Sequence, residues 1–451
     1  MKKYSLLIVT LLLLSFVVLP SFNSAAAPEP MLANQPVSEY RARRQRLMEQ
    51  LRDGVIVIGG AHEDDFGDAG RFRQNNYFQY LTGVETPAAS LVLAPKGLAD
   101  ERSAKEMLFI PARNPGSERW TGPQIGPGAE AEAAFGCERV LSVNDFEQVI
   151  RSLAAKAKIF YTLTPPKGDT TRPRELLFAE RLKGMIGGAE LKSLDHQLNL
   201  LRMTKSATEL ALLQKAIEAT GAAQAGVARA LRPGVFEYEL EAETLAAFLR
   251  NGAERASFPA IIGSGVNSTI LHYDRNRKQI DDGDLVVVDI GAEYSYYAAD
   301  ITRTWPASGR FTPRQREIYE LVLAAQRKME EMVKPGKTYL GALTDATRDF
   351  FRASRLRARD EQGREQTMDY FFIHATGHYL GMDVHDVGDY GRPLQPGDVF
   401  TIEPGLYIPA ENLGVRIEDD YLVTESGVRK LSATIPAAPD EIERMMKRKQ
   451  Q

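Results

Sequence analysis

Four acidic residues interrupt the most apolar strand-like stretches of this chain, and any fold it adopts must find partners for them. Asp289 closes the run "LVVVD", Asp300 lies in "YYAADITRTW", Glu403 breaks "VFTIEPGLYI" and Glu418 follows "GVRI". A carboxylate buried without a partner is very costly. A single acid in such a place is more often part of a buried ion pair or a strand-end residue facing water. Four together, with few bases nearby, are better neutralised by metal. Four carboxylates suffice for two divalent cations if some of them bridge, and two such cations about 3.5 Å apart share a hydroxide that is a strong nucleophile at neutral pH. Arg416 stands two residues before Glu418 and is expected on the same strand face.

The histidines gather in the same part of the chain. Of six in all, three fall in "HATGHYLGMDVHD", as His374, His378 and His385, and His272 lies in "STILHYDRN". A spacing of four would put His374 and His378 on one helix face. Gly377 and Gly381 argue against a helix interior, so the stretch reads as a strand-to-loop segment whose glycines bring the backbone close to a ligand. Carboxylates with one imidazole favour a hard or borderline ion: Mn²⁺ first, with Co²⁺, Fe²⁺ or Zn²⁺ also suited.

A chain of 451 residues, 43% hydrophobic, can bury two or three domains. Its net charge of −4, with acids and bases interspersed, implies neither nucleic acid nor an anionic membrane as partner. Residues 1–27 have the layout of an export signal: Lys2 and Lys3, an apolar run to Leu19, Pro20, then Ala25-Ala26-Ala27. The run is shorter than the roughly 20 residues of a membrane span, so export to the periplasm or the exterior, without a lasting membrane anchor, is expected. Cys137 is the only cysteine, which excludes an intrachain disulfide, and it reads as a buried apolar residue. Trp120 and Trp305 are expected to pack.

Residues 34–195 alternate helix-like stretches with short buried strands at "DGVIVIGG", "ASLVLAPKG", "EMLFIPARN" and "AKIFYTL", the pattern of an α/β layer. From 196 to 451 a helical region, opened by the capping pair Ser206 and Glu209, gives way to two strand-like pairs, an α+β texture. The charged tail "EIERMMKRKQQ" is expected to fray. Familiar phosphate-loop, zinc-helix, nucleophile-elbow and dinucleotide patterns are each incomplete.

The pieces "HYDRN", "VVDIGAEYSYYAADITRT", "HATGHYLGMDVHDVG", "TIEPGLYI" and "VRIEDDYLVT", in this order, resemble the pita-bread metallopeptidases, the family of methionine aminopeptidase, aminopeptidase P and prolidase. Upstream, "RFRQNNYFQYLTG" followed by "ASLVLAP" is similar to the N-terminal domain that aminopeptidase P and prolidase share. The resemblance implies that Asp289 binds one metal, Asp300 and Glu418 bridge, and His378 and Glu403 bind the second. It further implies that His272 and His385 meet the scissile carbonyl, that His374 lines the same pocket, and that Arg416 buttresses Glu418. The expected reaction is attack of the bridging hydroxide on an Xaa–Pro peptide bond, with Glu403 moving the proton to the leaving nitrogen. Aminopeptidase P is favoured over prolidase by "GHYLGMDVHDVG", the "FRQNNYFQYLTG" segment and the short interval from Glu403 to Glu418. Homodimers or homotetramers are common in the family. A metal-free pita-bread binding module is the remaining reading.

Overall fold

The apolar runs of the first half assemble into one mixed sheet. The computed structural model describes residues 31–63, 71–96, 104–166 and 171–447; the expected export signal lies outside them. The six strands run in the order Arg139–Ser142, Glu106–Ile110, Ser90–Leu93, Val55–Gly59, Ile159–Thr162, Glu190–Ser193. The second, third and fourth of these pair antiparallel, and the remaining neighbours pair parallel. The central four are the predicted ones. The two outer strands, "RVLS" and "ELKS", are mostly half-buried or exposed, because an edge strand is covered less and needs no apolar run. The predicted helix is Val37–Gln50. Its charge is misleading: Arg43 and Arg44 are fully buried, with Arg44 paired to Glu106 at 2.9 Å and Arg43 donating to the Tyr80 carbonyl.

After Ser193 a short helix, Asp195–Met203, leads into the long helix Ala207–Ala230, whose Ser206–Glu209 capping box forms as read. The second half packs this helix, Glu237–Arg250, Pro313–Met332 and Leu340–Arg352 around short antiparallel ladders. Of the tail expected to fray, the part up to Met446 is ordered instead: Pro439–Met446 is a helix that buries Ile442 completely, and residues 448–451 lie outside the described ones. Its apolar stripe finds a groove that a count of charges cannot reveal. Trp305 is fully buried, whereas Trp120 is 90% exposed and does not pack as expected. Cys137 is buried, and burial pushes its thiol up to about 11.

The halves are joined by one apolar cluster that includes Ile58 and Leu81 from the sheet domain and Leu213, Tyr297 and Leu380 from the second domain. Asn76 also donates to Asp383 at 2.7 Å across this boundary. No helix among the described residues is long and apolar enough to cross a membrane.

Candidate dinuclear metal site

Each expected strand pair is more than a simple hairpin, and the departures fall at the acids. Leu285–Ile290 pairs with Ile301–Pro306, so Asp289 faces Thr302 and Ile290 faces Ile301. Between them the chain detours through a small hairpin, Ala292–Tyr294 with Tyr297–Ala298, turned by Ser295 and Tyr296 at φ of 46° and 72°. Asp300 is the last residue before the main ladder resumes. In the second half Val399–Ile402 pairs with Asp419–Val423, and Gly405–Ile408 pairs with Leu413–Arg416. The break leaves Glu403-Pro404 opposite Ile417-Glu418. Proline has no N–H for a ladder, so the sequence itself makes the break beside Glu403.

Two glutamines that sequence reading missed hold these breaks in place. From the long helix, Gln224 Nε2 donates to the carbonyls of Val288 and Ile301, both at 3.0 Å. From Pro313–Met332, Gln326 Nε2 donates to the carbonyls of Ile402 and Ile417 at 3.0 and 3.3 Å. Every one of these carbonyls belongs to a residue adjacent to one of the four acids. Both glutamines are fully buried, so the amide satisfies carbonyls that the broken ladders leave over. The only sequence signal is a lone polar residue on an apolar helix face.

The histidine segment lies along the second ladder without being helical. Glu403 N donates to the Thr376 carbonyl at 2.8 Å and Thr401 N to the His378 carbonyl at 2.9 Å. A Cβ on Gly377 would stand 1.9 Å from the Thr401 carbonyl oxygen, and one on Gly381 would stand 2.1 Å from the Asp386 carboxylate. These glycines therefore admit other parts of the protein, rather than a ligand as the sequence suggested. Asp386 is the anchor of the segment, fully enclosed between Arg202 at 2.6 Å and Lys205 at 3.0 Å.

His378 Nδ1 lies 3.1 Å from its neighbour's carbonyl at Tyr379, which fixes the proton there and leaves the Nε2 lone pair free. That nitrogen is 3.4 Å from Asp300, 3.7 Å from Glu403 and 3.9 Å from Glu418. Ligand atoms of Asp300, His378 and Glu418 all lie within 4.8 Å of one another. Asp289 Oδ1, Asp300 Oδ1 and Glu418 Oε1 are buried and find no hydrogen-bond donor among the described residues. Native proteins rarely tolerate such atoms, and one common reason is a bound ion.

The electrostatics carry the same message. Burial, then the Glu418 charge, holds Asp300 and Glu403 well above the carboxylate range, and burial with Asp289 pushes Glu418 up to about 8. Burial holds His378 and His374 neutral, each near 4. Among the described residues Arg416 is the one cation whose side chain pairs with any of the four acids, and it pairs with Asp289 at 2.7 Å. This differs from the expected buttress of Glu418: the link to that acid runs through Thr302, whose hydroxyl accepts from Arg416 Nε at 3.2 Å and donates to Glu418 at 2.8 Å. One arginine cannot neutralise four acids, whereas divalent cations would restore all of them to the charged form. The donor set therefore fits a pair of such ions.

Above the acids opens a cleft of about 580 Å³ lined by all five expected ligands, by His272, His374 and His385, and by Phe258, Leu271 and Tyr390. His272 and His385 are exposed in it, and the His385 ring stands edge-on to that of His378, 4.3 Å between centroids. His374 reaches the cleft with both ring nitrogens engaged: Nδ1 on the Ala375 carbonyl at 2.7 Å and Nε2 on the Tyr407 hydroxyl at 2.8 Å, to which Arg416 donates in turn.

Comparison with known proteins identifies the family. Residues 211–425 match metallopeptidase family M24, and residues 40–161 match the aminopeptidase P N-terminal domain. The chain is 35% identical to Xaa-Pro aminopeptidase of Escherichia coli over 90% of its own length and 97% of that protein. It is 34% identical to human Xaa-Pro aminopeptidase 3, covering 90% and 85%. Among solved structures it is similar to proline aminopeptidase P II from Yersinia pestis, with TM-score 0.79, 35% identity and coverage of 91% and 99%. Aminopeptidase P from E. coli with the inhibitor Pro-Leu gives 0.80, 35%, 91% and 98%. Matched over both domains, the α/β N-terminal domain and the α+β pita-bread catalytic domain, this chain belongs to the aminopeptidase P family of M24 metallopeptidases.

Proposed function

We propose that this protein removes the first residue from peptides whose second residue is proline. The reading is supported by one observation above the others: the unsatisfied oxygens of Asp289, Asp300 and Glu418 converge with His378 Nε2 and Glu403 on the floor of a peptide-sized cleft. Asp289, Asp300, His378, Glu403 and Glu418 would hold two divalent ions, most suitably Mn²⁺ given four carboxylates and one imidazole. When bound, such a pair supplies an activated water and Lewis acidity.

The chain's own groups do the rest. Asp289 is oriented by the Arg416 guanidinium and Glu418 by the Thr302 hydroxyl, so each presents its second oxygen inward. Glu403 takes the proton from the attacking water and delivers it to the proline nitrogen, which as a tertiary amide cannot leave unprotonated. His272 and His385, exposed on the cleft wall, stabilise charge developing on the scissile carbonyl oxygen. His374 is occupied by Tyr407 and serves to position the Tyr407–Arg416 pair.

The test compares release of the first residue from an Xaa-Pro-Xaa tripeptide with cleavage of the matching Xaa-Pro dipeptide, using Mn²⁺-loaded protein starting at residue 28. Faster tripeptide cleavage is expected. A preference for the dipeptide would make the protein a prolidase, and no cleavage of either, with no metal retained after dialysis, would leave a binding module. The export signal, with cleavage near Ala27, and a homodimeric or homotetrameric state are part of the same proposal. The first rests on the sequence of residues 1–27 and is checked by the N-terminus of the mature protein. The second rests on family resemblance and is checked by light scattering.

A further inference from the structure

Beside the catalytic cleft lies a second, more polar groove of about 770 Å³. Phe258, Pro259, Val384 and His385 line both, so the two form one continuous trough. Its far part is built around Glu293, which faces Arg255 on the paired strands Arg255–Ala256 and Ala292–Tyr294. Glu293 Oε1 accepts from Arg255 Nε and Nη2 at 3.0 and 2.9 Å, and also from Arg73 Nε at 2.8 Å. Arg73 comes from the N-terminal domain and closes its fork on Glu293 Oε2 at 3.1 Å.

One carboxylate thus serves two guanidiniums. Arg255 Nη1 takes part in none of these bonds, and 39% of the Arg255 side chain is exposed. The other acid of the groove, Asp383, is already held by Arg202 at 2.9 Å and Asn76 at 2.7 Å. The charged lining is thus two guanidiniums, Arg73 and Arg255, sharing one carboxylate, and an Asp383 already paired with the buried Arg202. Arg255 is the more exposed of the two guanidiniums, 39% against 19% for Arg73.

Resting on the Xaa-Pro reading above, charge and length select what enters. The amino side of the scissile bond is one residue long and ends in an ammonium, which the exposed Arg255 guanidinium repels. Only the side beyond proline varies in length and ends in a carboxylate. Glu293 lies four residues past Asp289, at most about 13 Å at ~3.3 Å per strand residue, and a peptide extending two or three residues beyond the bond covers roughly 7–10 Å of that. An arginine side chain spans the remainder. We infer that this groove binds the leaving side of the substrate, with Arg255, set in place by Glu293 and Arg73, receiving the C-terminal carboxylate of short peptides.

The test uses the full-length mature, Mn²⁺-loaded protein and two tetrapeptides, Xaa-Pro-Xaa-Xaa as the free acid and as the C-terminal amide. The wild type is expected to favour the acid by about tenfold in kcat/KM, carried by KM, as suits a charge-assisted pair. In Arg255→Gln the acid-to-amide ratio is expected to fall to about one. In Arg255→Lys, which keeps the charge and loses the planar fork, it should lie between. Equal use of acid and amide by the wild type overturns the inference, as does an undiminished ratio in Arg255→Gln. Should Arg255→Gln not fold, Arg255→Lys and the salt dependence of the wild-type ratio decide, since a screened carboxylate contact must weaken with salt. Cleavage of neither peptide by the wild type refutes the Xaa-Pro reading instead of the subsite.

Discussion

Glu418→Gln should make the metal-free protein more stable while destroying its ability to hold metal. In the fold Glu418 is fully buried, and burial with the Asp289 charge pushes its carboxyl up to about 8 from an ordinary 4.5. Folding at pH 7 therefore keeps a proton that the unfolded chain would release. The penalty grows as pH rises from 4.5, is complete above about 8, and at pH 7 amounts to about 3 kcal/mol, from roughly 2.5 pH units at ~1.4 kcal/mol each. An amide carries no such penalty and still accepts from Thr302. The assay is urea unfolding of chelator-treated wild type and variant, followed through the fluorescence of the buried Trp305. The variant should gain up to about 3 kcal/mol at pH 7, and less than about 1 kcal/mol at pH 5. With saturating metal the order should reverse, because ligand binding to the native state stabilises only the chain that binds it. A variant equally destabilised at both pH values without metal would refute the reasoning: Glu418 would then be held by ordinary hydrogen bonds rather than strained by its neighbours.

Two further outcomes follow from the supporting structure. Gln326→Leu strips the amide from the buried carbonyls of Ile402 and Ile417; a loss of about 2–4 kcal/mol in denaturant unfolding is expected, together with weaker metal binding by calorimetric titration. Gly377→Ala places a methyl group against the Thr401 carbonyl oxygen; displacement of His378 should lower metal affinity and cost about 1–3 kcal/mol by overpacking, and an unchanged affinity would show that the segment yields freely.

The site was legible to the extent that its chemistry clashes with its surroundings. Asp289, Asp300, Glu403 and Glu418 stand out because acids do not belong in apolar strands, and the structure brings them to one cleft with His378. Gln224 and Gln326 perform a task just as specific, yet a glutamine in a helix breaks no local rule. The partner of Arg416 was misread for a related reason. Alternation placed Arg416 and Glu418 on one strand face and the resemblance implied a direct buttress, whereas the break at Ile417-Glu418 ends that alternation and the strand Leu285–Ile290 supplies Asp289 instead.

The sequence by itself determined the central strands of the N-terminal sheet, the capped long helix and the four acids around which a metal site could form, because each is written in local pattern: apolar runs, capping pairs, charges in apolar company. Only the tertiary structure decided how far each acid stands from the next, which histidine brings a ring nitrogen to the acids, and that Arg73 of one domain meets Glu293 of the other. Those facts depend on contacts between residues far apart in the chain, 220 positions in the case of Arg73 and Glu293, and no local pattern encodes the register at which distant segments meet.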